Sequence, residues 1–256
     1  MHLTDWLERQ HRSPDRAYMV ADLNERPERP AELLPYLANL MSQAKIDPAH
    51  VDRIAAALGW GDVRARLVPG RPSVRRGEFG ETIAAAILEE IEGWTVPVPK
   101  LRYQIDPEQT QPGTDLLAVQ LEGSAIVRLH FAESKLRGGA DNRAAVDAHD
   151  QLVEDQAKGF ADILVFVLAR LLDRGSELAD PLVAFLANRG TDARGTFGIF
   201  LTFDAAAWGE TVLDQLDDEP SLLDPLTVRI AHVLDLRELA DAACAAAGLN
   251  VVDDDD

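Results

Sequence analysis

The sequence predicts an α/β fold, a mixed sheet covered by helices on both faces, and three observations predict it. Helical periodicity and short apolar runs alternate along the chain. Two consecutive β-rich segments flank Glu122-Gly123-Ser124 as a hairpin. The segments FGIFLTF (197–203) and TVRIAHVL (227–234) are apolar almost throughout, as strands buried on both faces are.

The elements follow in order. Residues 3–11, 30–43 and 48–58 read as helices broken by the turn NERPERP, giving a helical N-terminal extension over 1–70. Residues 77–92 (GEFGETIAAAILEEIE) read as a helix with Ile83, Ile87 and Ile91 four apart. A strand at 101–105 (LRYQI), a Pro/Gln loop at 106–113 and the hairpin at 114–121 and 125–136 come next. Gly138-Gly139 ends the second hairpin strand. A long helical region covers about 142–173, another covers 177–188, and a last helix covers 235–247 after the two buried strands. The main domain is thus 71–250, and 251–256 is an acidic tail read as solvated.

Within the hairpin the charges sit in an unusual place. Alternation puts Val127, Leu129 and Phe131 on one face of the second strand, and Glu133 and Lys135 continue that face. On the first strand Asp115 shares a face with Leu117, Val119 and Leu121. A three-residue loop pairs Leu121 with Ala125, sets Asp115 opposite Phe131, and leaves Glu133 one diagonal step away on the same face, at roughly 7–8 Å. A two-residue loop would put the two carboxylates on opposite faces, so the reading depends on register. Glu81, on the flank of the 77–92 helix, is the candidate third acid; Glu78, one turn earlier, is the substitute. Glu89, Glu90 and Glu92 read as solvent-facing.

Two carboxylates and an ammonium at the rim of a sheet are costly to bury without a partner. They match what a magnesium-dependent phosphodiesterase requires, since Mg²⁺ takes one or two protein carboxylates and keeps several waters. Lysine usage points the same way. The chain has four lysines (Lys45, Lys100, Lys135, Lys158) against 21 arginines, and Lys135 stands where a compact ammonium is useful.

Composition bounds the rest. The 256 residues are 46% hydrophobic and carry a net charge of −19, which opposes unassisted binding to a polyanion. The charge is uneven: residues 1–76 hold 12 basic and 10 acidic residues, and residues 204–256 hold 2 and 14. Arg64, Arg66, Arg71, Arg75 and Arg76 either touch phosphates beside the site or pair with the acidic C-terminal region. Arg137 and Arg143 are further candidate phosphate contacts. No apolar run is long enough for a membrane span, and the start lacks a signal-peptide core. The single Cys244 reads as packing, and a reducing cytoplasm is expected. Paired Cys/His spacing and a Walker-type loop are absent, so neither zinc nor ATP hydrolysis is expected.

The order helix, three strands, helix, strand over 77–203 resembles the PD-(D/E)XK nuclease superfamily, read here as Glu81, Asp115, Glu133 and Lys135. Gly113-Thr114 stands where many members carry Pro or Gly before the aspartate. More narrowly, three motifs behind a helical extension are similar to HamA, the nuclease subunit family of the Hachiman antiphage system: the Gly77-Glu78-Phe79-Gly80-Glu81 helix start, Gly113-Thr114-Asp115, and Glu133-Ser134-Lys135. The resemblance implies a restriction-endonuclease-like sheet and a Mg²⁺- (or Mn²⁺-) dependent deoxyribonuclease. It implies metal ligands Asp115, Glu133 and Glu81, with Lys135 orienting water or stabilising phosphate charge. DNA is the implied substrate and a helicase/ATPase the implied partner. Alternative readings of the chain are a catalytically inactive nuclease-like interaction module, a repair or restriction nuclease of the same fold, and an acidic mimic of nucleic acid.

Overall fold

A computed structural model describes residues 1–12, 15–59, 69, 71–104, 106, 113–189 and 195–248. The strands are β1 (Leu7–His11), β2 (Met19–Glu25), β3 (Leu116–Glu122), β4 (Ala125–Arg137), β5 (Thr196–Asp204) and β6 (Leu226–Val233). They form one mixed sheet in the order β1-β2-β6-β5-β4-β3. The pairs β2–β6, β6–β5 and β5–β4 are parallel; β1–β2 and β3–β4 are antiparallel.

Helices cover both faces, as parallel strands require. One side carries α1 (Leu3–Trp6), α2 (Leu33–Lys45), α4 (Pro72–Ala86) and α9 (Leu236–Ala246), packed around Trp6, Leu37, Phe79, Phe200 and Leu236. The other carries α5 (Ala144–Ala157), α6 (Ala161–Asp173), α7 (Ala179–Arg189) and α8 (Thr211–Asp217), packed around Phe131, Leu152, Val167, Phe197 and Leu213. A further helix, α3 (Pro48–Leu58), follows α2. The α/β class and the mixed sheet agree with the sequence reading.

Several elements differ from expectation. The predicted 3–11 helix ends after one turn, and Leu7–His11 and Met19–Glu25 are strands instead. The N-terminal segment is therefore not a purely helical extension: β2 lies along β6 and joins the main sheet. Residues 100–103 form a 3₁₀ turn rather than a strand. The helical region at 142–173 is two helices, broken where Gly159 and Phe160 take left-handed φ of 65° and 51°. The 77–92 helix begins earlier, with Pro72 at its first position, and closes in a π-helical turn over Ile87–Ile91.

The hairpin is also built differently. Glu122 pairs with Ala125, so the turn is Gly123-Ser124, two residues long. Alone, that turn would have thrown Asp115 and Glu133 to opposite faces. A one-residue bulge restores parity: Leu121 pairs with Ile126 and Gln120 with Arg128, leaving Val127 as the extra residue. The ladder then runs through Leu117↔Phe131 and Leu116↔Ala132. One step further, Asp115 lies directly across from Glu133, not opposite Phe131.

Candidate functional site

β3 is an edge strand, and residues 133–137 of β4 run past its last pair. The overhang forms one wall of an open cleft of about 800 Å³, whose lining includes Arg76, Glu81, Asp115, Glu133, Lys135, Arg137 and Arg237. All four sequence-predicted site residues, Glu81, Asp115, Glu133 and Lys135, line this one cavity.

Each is positioned by a nameable contact. Beyond the ladder, the Asp115 Oδ2 accepts a hydrogen bond from the Ser134 amide at 3.0 Å. The residues before Asp115 are pinned from two sides. Lys100 Nζ donates to the carbonyls of Gly113 (2.8 Å) and Thr114 (3.2 Å), and the Thr114 hydroxyl donates to Asp155 at 2.8 Å. Glu81 reaches the cleft because α4 lies almost on β4. A Cβ at Gly80 would sit 3.1 Å from Leu136 Cβ and 3.3 Å from Ser134 Oγ, so this close approach needs glycine. Glu78, the alternative third acid, is buried against Lys45 and does not line this cleft.

Glu133 is 5% exposed. Its Oε1 accepts from Lys135 Nζ at 2.7 Å, and its buried Oε2 has no hydrogen-bond partner. A half-satisfied buried carboxylate is expensive. Burial, and then the neighbouring Asp115 charge, raise its pKa to about 8 against the lowering effect of Lys135. Burial also raises the Asp115 pKa, opposed by Lys100, the Ser134 amide and Lys135. Glu81 is pushed well above the carboxylate range by burial, then by Asp115. Three carboxyls crowded into one cleft thus share a need for positive charge.

The donor set fits a hard divalent cation: carboxylate oxygens, one of them orphaned, in an open cavity with room for water. The oxygens do not close into a cage. Among the described residues, the one group of three His, Cys, Asp or Glu whose ligand atoms all lie within 4.8 Å of one another is His149, Asp150 and Glu219, elsewhere in the fold. A wider arrangement suits Mg²⁺, which retains several waters.

A family model described as HamA matches residues 1–232. The chain belongs to the HamA family. That membership associates it with Hachiman antiviral defence. No curated protein matches it. The HamA match takes in β1 and β2 as well as all four site residues, so the N-terminal strands belong to the family's unit.

Sequence reasoning missed two members of the cleft's surroundings. Lys100 is buried beside Asp115, and Lys45 is buried against Glu78 and donates to Gln104 at 2.9 Å. Three of the chain's four lysines therefore gather around this site, and the scarcity that singled out Lys135 applied equally to them. Other expectations changed. Glu92 is not solvent-facing: its side chain is buried against Arg229, whereas Glu89 and Glu90 are exposed as expected, Glu90 also accepting from the Leu3 amide at 2.8 Å. Arg76 pairs with Asp241 of the acidic C-terminal region at 2.6 Å. Arg137 pairs with Asp141, and the exposed Arg143 with Asp147 at 3.3 Å. Cys244 is buried, as expected of packing. Arg64 and Arg66, most of the 106–113 loop and the aspartate tail lie outside the described residues. No helix among the described residues is long and apolar enough to cross a membrane.

Proposed function

We propose that this HamA-family chain is a metal-dependent deoxyribonuclease of the PD-(D/E)XK type, acting in antiphage defence with a helicase partner. The observation that carries the reading is the buried, half-satisfied Glu133, set across from Asp115 and bonded to Lys135 in an open cleft.

Asp115 and Glu133 would hold Mg²⁺ (or Mn²⁺) through their carboxylates, with Glu81 as the third acid. Those residues would hold an ion whose chemistry there would be Lewis-acid polarisation of the scissile phosphate. Lys135, anchored on Glu133 at 2.7 Å, presents its remaining N–H donors to the negative charge that develops on the phosphoryl oxygens. Glu81, which lines the same cleft, would help orient the attacking water. Lys100 holds the Gly113-Thr114 carbonyls and thereby the position of Asp115. A net charge of −19 slows encounter with DNA by long-range repulsion, which gives a helicase partner a physical role in delivering substrate.

The test is incubation of the full chain with supercoiled and linear DNA plus Mg²⁺, with and without the helicase. Lys135→Ala and Asp115→Ala are each expected to lower cleavage by about 10³-fold while keeping the wild-type circular dichroism spectrum. Full cleavage by both variants rejects the site. Loss of Mg²⁺ binding on Asp115→Asn with no cleavage by wild type would favour a metal-holding interaction module instead.

A further inference from the structure

A phosphodiester entering the cleft is best neutralised by a cation that no protein carboxylate has already claimed. Four cations line the cleft: Arg76, Lys135, Arg137 and Arg237. Arg76 is held by Asp241, Lys135 by Glu133, and Arg137 by Asp141. Only Arg237 has neither an ion pair nor a hydrogen bond from its side chain among the described residues. Asp241, four residues further along α9 and at the spacing where an opposite charge is usually captured, is occupied by Arg76.

The position of Arg237 is costly and specific. It lies in the first turn of α9, where the helix dipole disfavours a cation. Residues 204–256 hold only two basic residues, and the other, Arg229, is buried against Glu92. The Arg237 side chain runs along the Gly138-Gly139 backbone. A Cβ at Gly138 would fall 2.3 Å from its Nε and 2.6 Å from its Cγ, and one at Gly139 3.4 Å from its Nη2. The two glycines that end β4 therefore make a seat that no side chain could share without displacing the arginine.

We propose that Arg237, seated on Gly138-Gly139, is a phosphate subsite that binds the nucleic-acid backbone beside the Asp115/Glu133 centre. The assignment rests on the nuclease reading of the same cleft, and it adds a residue beyond the span the family model matches. Guanidinium geometry suits bidentate contact with phosphate oxygens, and the open cleft keeps it accessible.

The test uses the full chain and a fluorescein-labelled DNA duplex with Mg²⁺. For cleavage, Arg237→Ala is expected to raise KM about tenfold with kcat within about twofold of wild type, as loss of uniform binding does. For binding, the Lys135→Ala background removes turnover. Adding Arg237→Ala there is expected to weaken DNA affinity about tenfold and to reduce the slope of log K against log salt by about 0.9. Arg237→Lys should keep the salt slope while recovering only part of the affinity. Gly138→Ala, which leaves the charge but fills the seat, should raise KM in the same direction. An unchanged KM and salt slope in Arg237→Ala overturns the subsite. If cleavage is real yet indifferent to Arg237, the subsite fails alone. If wild type binds DNA through Arg237 but never cleaves, the nuclease reading fails and the subsite stands. Absence of DNA binding by wild type in the presence of the helicase overturns both.

Discussion

Two buried carboxylates, Glu92 and Glu133, lie in the same sheet-and-helix framework and are treated in opposite ways. Glu92 is closed. Arg229 donates from Nε to one oxygen and from Nη2 to the other, both at 2.6 Å, and Arg9 adds a contact at 3.3 Å. Glu133 is open: one oxygen takes a single ammonium, and the other faces no donor. Both are buried acids with a basic partner, so burial and pairing alone do not mark a functional site. The mark is an unfilled acceptor on a residue that lines a cavity. Glu92 ties the end of the π-helical turn to β6, whereas Glu133 leaves bonding capacity for something the chain does not supply.

The comparison can be broken most forcefully at Arg229. Arg229→Ala leaves Glu92 with only Arg9, and should cost about 3–5 kcal/mol of stability. Urea denaturation would read that loss, while Mg²⁺ affinity of the folded fraction should stay at the wild-type value. A shifted Mg²⁺ affinity would mean the two carboxylates are not independent.

Glu133→Gln should do the reverse. It removes a carboxyl that the metal-free fold houses only by taking up a proton at neutral pH, so stability should rise by about 1–2 kcal/mol near pH 7. The gain depends on pH. Folded Glu133 keeps its proton to about 8, whereas the unfolded carboxyl loses it near the ordinary value of 4.5. Between those values the native state binds more protons, so this group's contribution is complete below 4.5 and is lost as pH rises through about 8. Thermal melts of the metal-free wild type should therefore weaken across that window, with less weakening in Glu133→Gln. Saturating Mg²⁺ should restore wild-type stability but not raise that of the variant. Melts parallel at every pH would show that Glu133 is not strained.

The smallest effect is expected at Gly80. Gly80→Ala forces α4 off β4 by a few tenths of an ångström, for about 1 kcal/mol, and moves Glu81 with it. Cleavage should fall by about tenfold, since small misplacements are felt in the reaction. Activity and melting temperature measured together would separate a displaced acid from general loosening.

Much of the site was legible because strand alternation is a strong local signal. Leu129 and Phe131 mark a face, and Glu133 and Lys135 visibly continue it. The right face was nevertheless reached through the wrong turn: a bulge at Val127 carries no local signature in AIVRLHF, and it cancels the parity error of the two-residue loop. β1 was read as helix because LERQH is polar, and its burial pattern shows one buried residue at the edge of the sheet. Glu92 was misread because its partner, Arg229, is 137 residues away. Lys45 and Lys100 needed no distant information, since their rarity was visible in composition.

The bulged hairpin also constrains how this segment can change in length. Inserting or deleting a single residue between Asp115 and Glu133 rotates one carboxylate through half a pleat, out of the cleft, unless a second irregularity compensates. Lineages carrying this scaffold can therefore vary the spacing freely only in steps of two. An odd spacing in a relative would disclose a bulge gained or lost, before any coordinates for it existed.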